Sequence, residues 1–179
     1  GKIDVFVNSA AVLDDKLFLD SSPDDWTRML DICLHGPMHA LHQVLPRMQR
    51  NGYGRVVFLA SDSARIGQAR LSYYAASKAG IIALLKSVAQ EVGRSGITLN
   101  VVSPGATDTP LRQAREAQMR AQMGEEKYAR RVNSVLKLYP TGRIGTPDDV
   151  GAAIAFLCSE EAGWTTGQVL SVNGGFVMP

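Results

Sequence analysis

Tyr74 and Lys78 stand four residues apart in Ser72-Tyr73-Tyr74-Ala75-Ala76-Ser77-Lys78, and Ser61 lies thirteen residues before Tyr74. Positions four apart share a helix face, so the phenol and the ammonium can meet there. A free Tyr has a pKa of about 10 and exchanges protons poorly at neutral pH. A cation within ~4–6 Å favours the phenolate, so Lys78 is expected to lower the pKa of Tyr74. Tyr73 is a poor alternative, because the residue four positions on is Ser77, which carries no charge. Ser61 would add a hydroxyl donor. A hydroxyl, a tuned phenol and a cation beside one crevice can move a proton onto or off an oxygen.

These three residues need a scaffold. Ser61 follows the apolar run Arg55-Val56-Val57-Phe58-Leu59-Ala60, which predicts a strand with Ser61 at its carboxyl end. In open α/β sheets that edge is where ligands bind. Ile3–Val7 reads as an earlier strand, Ile97–Val102 as a third and Gln168–Val172 as the last. Ser22-Pro23-Asp24-Asp25 has the Ser-Pro-acid order of a helix start. Its helix is expected to run toward Met48 with a kink near Gly36-Pro37. The helix carrying Tyr74 should continue to about Arg94 and stop at Gly96. Thr146-Pro147-Asp148-Asp149 opens another helix, to about Cys158. Such alternation argues for a doubly wound parallel sheet.

A chain of 179 residues with 45% hydrophobic and 20% charged residues has the size and balance of one globular domain. No apolar run approaches the ~18–20 residues that span a bilayer, so no membrane partner is expected. A net charge of +2 gives no reason to expect nucleic acid. Cys33 and Cys158 fit no metal or disulfide spacing, and no signal segment precedes the first strand, so a cytoplasmic location is expected. His35, His39 and His42 share a helix face at a spacing able to hold a metal, but no ligand set is completed in sequence, so no metal is expected.

Taken in order, these motifs resemble the classical short-chain dehydrogenase/reductases. Tyr74 to Lys78 matches the family's Tyr-x-x-x-Lys, and Ser61 its Ser. Val7-Asn8-Ser9-Ala10-Ala11 resembles its Asn-Asn-Ala-Gly segment, and Asn100 to Thr109 its Pro-Gly segment beside the nicotinamide. Gly142 to Val150 and Thr166 to Gly175 resemble its C-terminal signatures. The resemblance covers essentially the whole chain. It implies a Rossmann-type sheet and an NAD- or NADP-dependent oxidoreductase interconverting a secondary alcohol and a ketone. The 3-oxoacyl thioester reductases and hydroxyacyl dehydrogenases are the favoured subgroups. Ser61, Tyr74 and Lys78 would be catalytic. Asn8, Ala10, Tyr74, Lys78, Pro104, Gly105, Thr107 and Thr109 would hold the cofactor. Residues 110–140 would be a helical substrate lid within the single domain 1–179. Between Pro110 and Lys137 the lid has seven cations against three acids, a net +4, which suits an acidic substrate handle. Residues 24–49 and 72–94 would pair across a homodimer or homotetramer, with the three histidines near that contact.

The chain departs from the family in three places. Ser9 and Ala11 replace an Asn and a Gly. Cys33 stands where the family has the Asn whose carbonyl holds a relay water and whose side chain fixes the helix kink; a thiol is a weak hydrogen-bonder. No Gly-rich phosphate loop occurs, and the resemblance places Ile3–Val7 at the family's fourth strand, as a sheet edge. The chain is then part of a longer protein, a product stabilised by another chain, or an independent half-enzyme. The alternative function is a non-catalytic binding or scaffold subunit.

Overall fold

The computed structural model describes residues 1–178. Four strands, β1 (Val5–Asn8), β2 (Gly54–Leu59), β3 (Ile97–Pro104) and β4 (Val169–Val172), form one sheet in the order β1-β2-β3-β4. All neighbours are parallel, with Val7 beside Val57, Val57 beside Asn100, and Val102 beside Leu170. Parallel strands covered on both faces read as continuous apolar runs, and Val56, Val57 and Phe58 are all fully buried. Seven α-helices accompany them: α1 (Pro23–Leu30), α2 (Gly36–Asn51), α3 (Ser63–Ile66), α4 (Ser72–Val92), α5 (Pro110–Met123), α6 (Glu125–Leu136) and α7 (Pro147–Cys158). On one face Leu41, Val44 and Met48 of α2 and Ile81, Leu85 and Ala89 of α4 pack on Val56, Phe58 and Leu99. On the other face Val150 and Leu157 of α7 cover Val57 and Val102. This α/β sheet with helices on both faces is part of a Rossmann-type fold. β1 is its edge, with Val5 45% and Val7 40% exposed.

The helix ends follow local chemistry. Ser22 and Thr146 each accept from the backbone N–H three residues on, while Asp25 and Asp149 bond back to the cap N–H. These are capping boxes built on aspartate. A one-turn extension of α4 ends at Gly96, whose φ of 72° suits a residue without a Cβ. The kink expected near Gly36-Pro37 is a π turn over Asp31–His35, with the Gly36 N–H reaching the Asp31 carbonyl. Pro37 has no N–H to offer the Cys33 carbonyl, so a regular α-turn cannot close there.

Candidate active site

β2 and β3 deliver their carboxyl ends to one cavity of about 620 Å³, and α4 forms its side wall. Ser61, Tyr74 and Lys78 all line it, together with Pro104, Gly105, Thr107 and Thr109. Asn8 and Ala10 do not line it; their neighbours Ser9 and Ala11 do. Tyr73 points into the core against Met29 and Cys33, and its hydroxyl has no hydrogen-bond partner. One residue step on a helix turns the side chain by about 100°, which separates the cavity phenol from the core phenol.

Lys78 is buried, and its ammonium donates to the Leu59 carbonyl at 2.9 Å. That nitrogen lies 5.9 Å from the centre of the Tyr74 ring. The expected lowering of the Tyr74 pKa is reversed. Burial pushes Tyr74 up to about 12, assisted by Cys33 and opposed by the Ser61 hydroxyl. Burial also depresses Lys78. Desolvation penalises the charged form of each partner.

Ser61 is held by its neighbour two residues on. The Ser63 hydroxyl lies 2.9 Å from Ser61 Oγ, and the Ser63 N–H also donates to it, at 3.3 Å. With two donors converging on its oxygen, Ser61 has its own proton free for the cavity. Asp62, between them, is buried and accepts from Ser103 at 3.0 Å and from Asn173 at 2.8 Å. Burial raises its pKa, and the two bonds oppose the rise. Asp62 thereby ties together the segments that end β2, β3 and β4. Tyr139 stacks on Phe176 and accepts from the Ala106 N–H at 3.0 Å, bracing the Pro104–Thr107 wall. Sequence reading passed over Asp62 and Tyr139. The Ser61-Asp62-Ser63 run and an aromatic beside Pro140 were the signals available.

Thr107 bonds to the Gly105 carbonyl at 3.2 Å, and Thr109 caps α5 by accepting from the Arg112 N–H at 3.3 Å. Both are anchored locally. Cys33 is fully buried, and its thiol bridges both backbone groups of Val12: it accepts from the N–H at 3.4 Å and donates to the carbonyl at 3.6 Å. The weak hydrogen-bonder expected from the sequence therefore joins the π turn to the loop after β1.

Most arginines of residues 110–137, the expected lid, are paired. Arg112 and Arg131 both face Glu116, Arg120 pairs with Glu125, Arg130 with Glu126, and Arg115 with Asp15. Of these acids only Asp15 comes from outside the segment, so its net charge of +4 falls only to +3. The three histidines are exposed, and His35 lies 2.8 Å from Asp31. No metal-binding group of three acids, histidines or cysteines occurs among the described residues. No helix among them is long and apolar enough to cross a membrane.

A sequence family described as enoyl-(acyl carrier protein) reductase matches residues 1–177. The 3-oxoacyl-acyl-carrier-protein reductases of Salmonella typhimurium and Escherichia coli are 34% and 33% identical over 99% of this chain and 68% of their own length. The chain belongs to the short-chain dehydrogenase/reductase family. An acetoacetyl-CoA reductase of Shinella zoogloeoides is 34% identical over 98% of the chain and 68% of its own length. Membership in this oxidoreductase family implies a nicotinamide dinucleotide. The cavity fits its nicotinamide-ribose end, because Lys78 donates one of three ammonium protons to Leu59 and leaves donors suited to sugar hydroxyls. Residues for the pyrophosphate do not show in the same way, since the sequence holds no Gly-rich loop.

Proposed function

We propose that this chain carries the proton-transfer and substrate-binding part of an NAD(P)-dependent oxidoreductase. The reaction interconverts a secondary alcohol and a ketone, on 3-oxoacyl or hydroxyacyl thioesters. The observation that carries the reading is the convergence of Ser61, Tyr74 and Lys78 on one lidded cavity. The names of the relatives, reductases of 3-oxoacyl carrier-protein and CoA thioesters, support the substrate class.

The bound nicotinamide supplies the hydride in reduction and takes it up in oxidation. Ser61 donates its free proton to the carbonyl oxygen and orients it. Ser61 keeps that proton in the hydrogen bond; Tyr74, protonated at neutral pH, gives the one proton that the oxygen takes up as the hydroxyl forms. A protonated Tyr74 favours the reductive direction; oxidation first needs the phenolate, which the Lys78 charge helps to stabilise. Lys78, Tyr74 and the Pro104–Gly105 wall would hold the nicotinamide ribose and carboxamide. Thr107 and Thr109 shape that wall. Asn8 and Ala10 act through the backbone of the loop that carries Ser9 and Ala11.

The two cysteines are free, which suits a reducing cytoplasm. Ile32 in the π turn and Met38 in α2 are exposed, as are Ala76 and Ala83 of α4. We assign these helices to a two-fold contact between copies, in a homodimer or homotetramer.

The test is the oxidation of NADH and NADPH by the longest natural form of the chain with an acetoacetyl thioester. Tyr74→Phe is expected to lower kcat by roughly a hundredfold or more. Wild-type turnover in that variant would overturn the proposal.

A further inference from the structure

Asp15 lies in the loop after β1, and two arginines from distant segments meet on its carboxylate; one of them, Arg115, lines the cavity. Arg70 Nε pairs with one oxygen and its Nη2 donates to the Asp15 carbonyl at 3.0 Å. Arg115 Nε donates to the other oxygen at 2.6 Å. The Lys16 N–H returns a bond to the Arg70 carbonyl at 3.1 Å, so Asp15-Lys16 grips both ends of Arg70. The carboxylate is only 18% exposed, and its pKa is held below the usual value, the two guanidiniums outweighing the opposing effect of burial.

The backbone at Arg70 makes this more than a surface pair. Its φ is 71°, the one positive φ outside glycine among the described residues. A residue with a Cβ is held in that region only when its surroundings over-determine it. Arg70 precedes Leu71, the N-cap of α4, and α4 has no side-chain cap. Its first turn carries Tyr74. The grip on Arg70 therefore lies beside a helix start that no side chain caps.

We propose that Asp15 is a positioning residue that holds three walls of the cavity in register. Through Arg70 it fixes the start of the Tyr74 helix, and through Arg115 it docks lid helix α5 onto the loop after β1. One carboxylate thus anchors both helix α5 and the start of the Tyr74 helix. The catalytic consequence, though not the structural one, rests on the oxidoreductase reading above.

The experiment is hydrogen exchange by mass spectrometry on the full chain, with steady-state kinetics alongside. Asp15→Asn keeps the shape and removes the charge. It is expected to speed exchange in residues 71–76 and in residues 110–117, each by roughly fivefold. Arg115→Met is expected to speed exchange in 110–117 alone. In kinetics, Asp15→Asn lowers kcat and raises KM, whereas Arg115→Met raises KM with kcat held. If Asp15→Asn leaves either segment at the wild-type rate, or if Arg115→Met loosens 71–76 as much as 110–117, the shared anchoring by Asp15 is refuted. Should Asp15→Asn fail to fold, Arg70→Met and Arg115→Met give the same reading, one segment each, and loosening of both segments or neither by either variant refutes it. A wild-type chain that transfers no hydride would refute the oxidoreductase reading and leave the exchange result intact.

Discussion

Removing the Tyr74 hydroxyl should make the fold more resistant to alkali. In the folded chain burial raises Tyr74 to about 12, from 10.0. A group whose folded pKa is raised stabilises the fold while it stays protonated, and that contribution is lost as pH rises through the folded value. Between about pH 9 and about pH 11 the unfolded chain gives up this proton and the folded chain keeps it. The folded state is then disfavoured by roughly 1 kcal/mol over that interval. Tyr74→Phe cannot lose a proton, so its stability should fall by that much less. With a urea slope of roughly 2 kcal/mol per molar, the difference is about half a molar in midpoint. The assay is urea unfolding of both proteins across the interval, reading the change in midpoint with pH rather than its absolute value. Titration of tyrosine absorbance should show the variant lacking one late-ionising phenol. Parallel pH dependences would refute the reasoning, because they would mean that Tyr74 ionises as readily folded as unfolded.

Two further outcomes follow from the hydrogen bonds around the site. Ser63→Ala removes the hydroxyl donor to Ser61 Oγ and should lower kcat roughly tenfold with little change in KM, since the Ser61 proton is no longer steered into the cavity; a kinetic comparison under saturating cofactor checks it, and an unchanged kcat would refute that role. Cys33→Ala deletes a fully buried thiol and both its bonds to Val12, which should cost about 2 kcal/mol in urea unfolding, whereas Cys33→Ser, able to restore both bonds, should cost less; a serine variant as unstable as the alanine one would show that packing, not the bridge to Val12, sets the value.

The sheet was legible because each signal acts over a few residues. Val56-Val57-Phe58 is apolar without alternation, as a strand covered on both faces must be. Ser22-Pro23-Asp24-Asp25 and Thr146-Pro147-Asp148-Asp149 carry their caps within one turn, and Gly96 marks its own stop. The Tyr74–Lys78 spacing and the place of Ser61 after a strand were local in the same sense, so the cavity could be located from sequence. The missing N–H of Pro37 made a kink legible too, though not its π form.

What the sequence could not decide depends on segments brought together from far apart. The Asp15 carboxylate meets arginines 55 and 100 residues away, and Asp62 meets Asn173 across 111 residues. No periodicity records such pairs. The count of charges gives the lid its net sign, but which of its arginines are paired depends on where Glu116 and Asp15 are placed. The Tyr74 pKa is the sharpest case. Sequence spacing brings a cation near and predicts a lower value; the tertiary structure decides how much water remains, and losing that water raises the value instead.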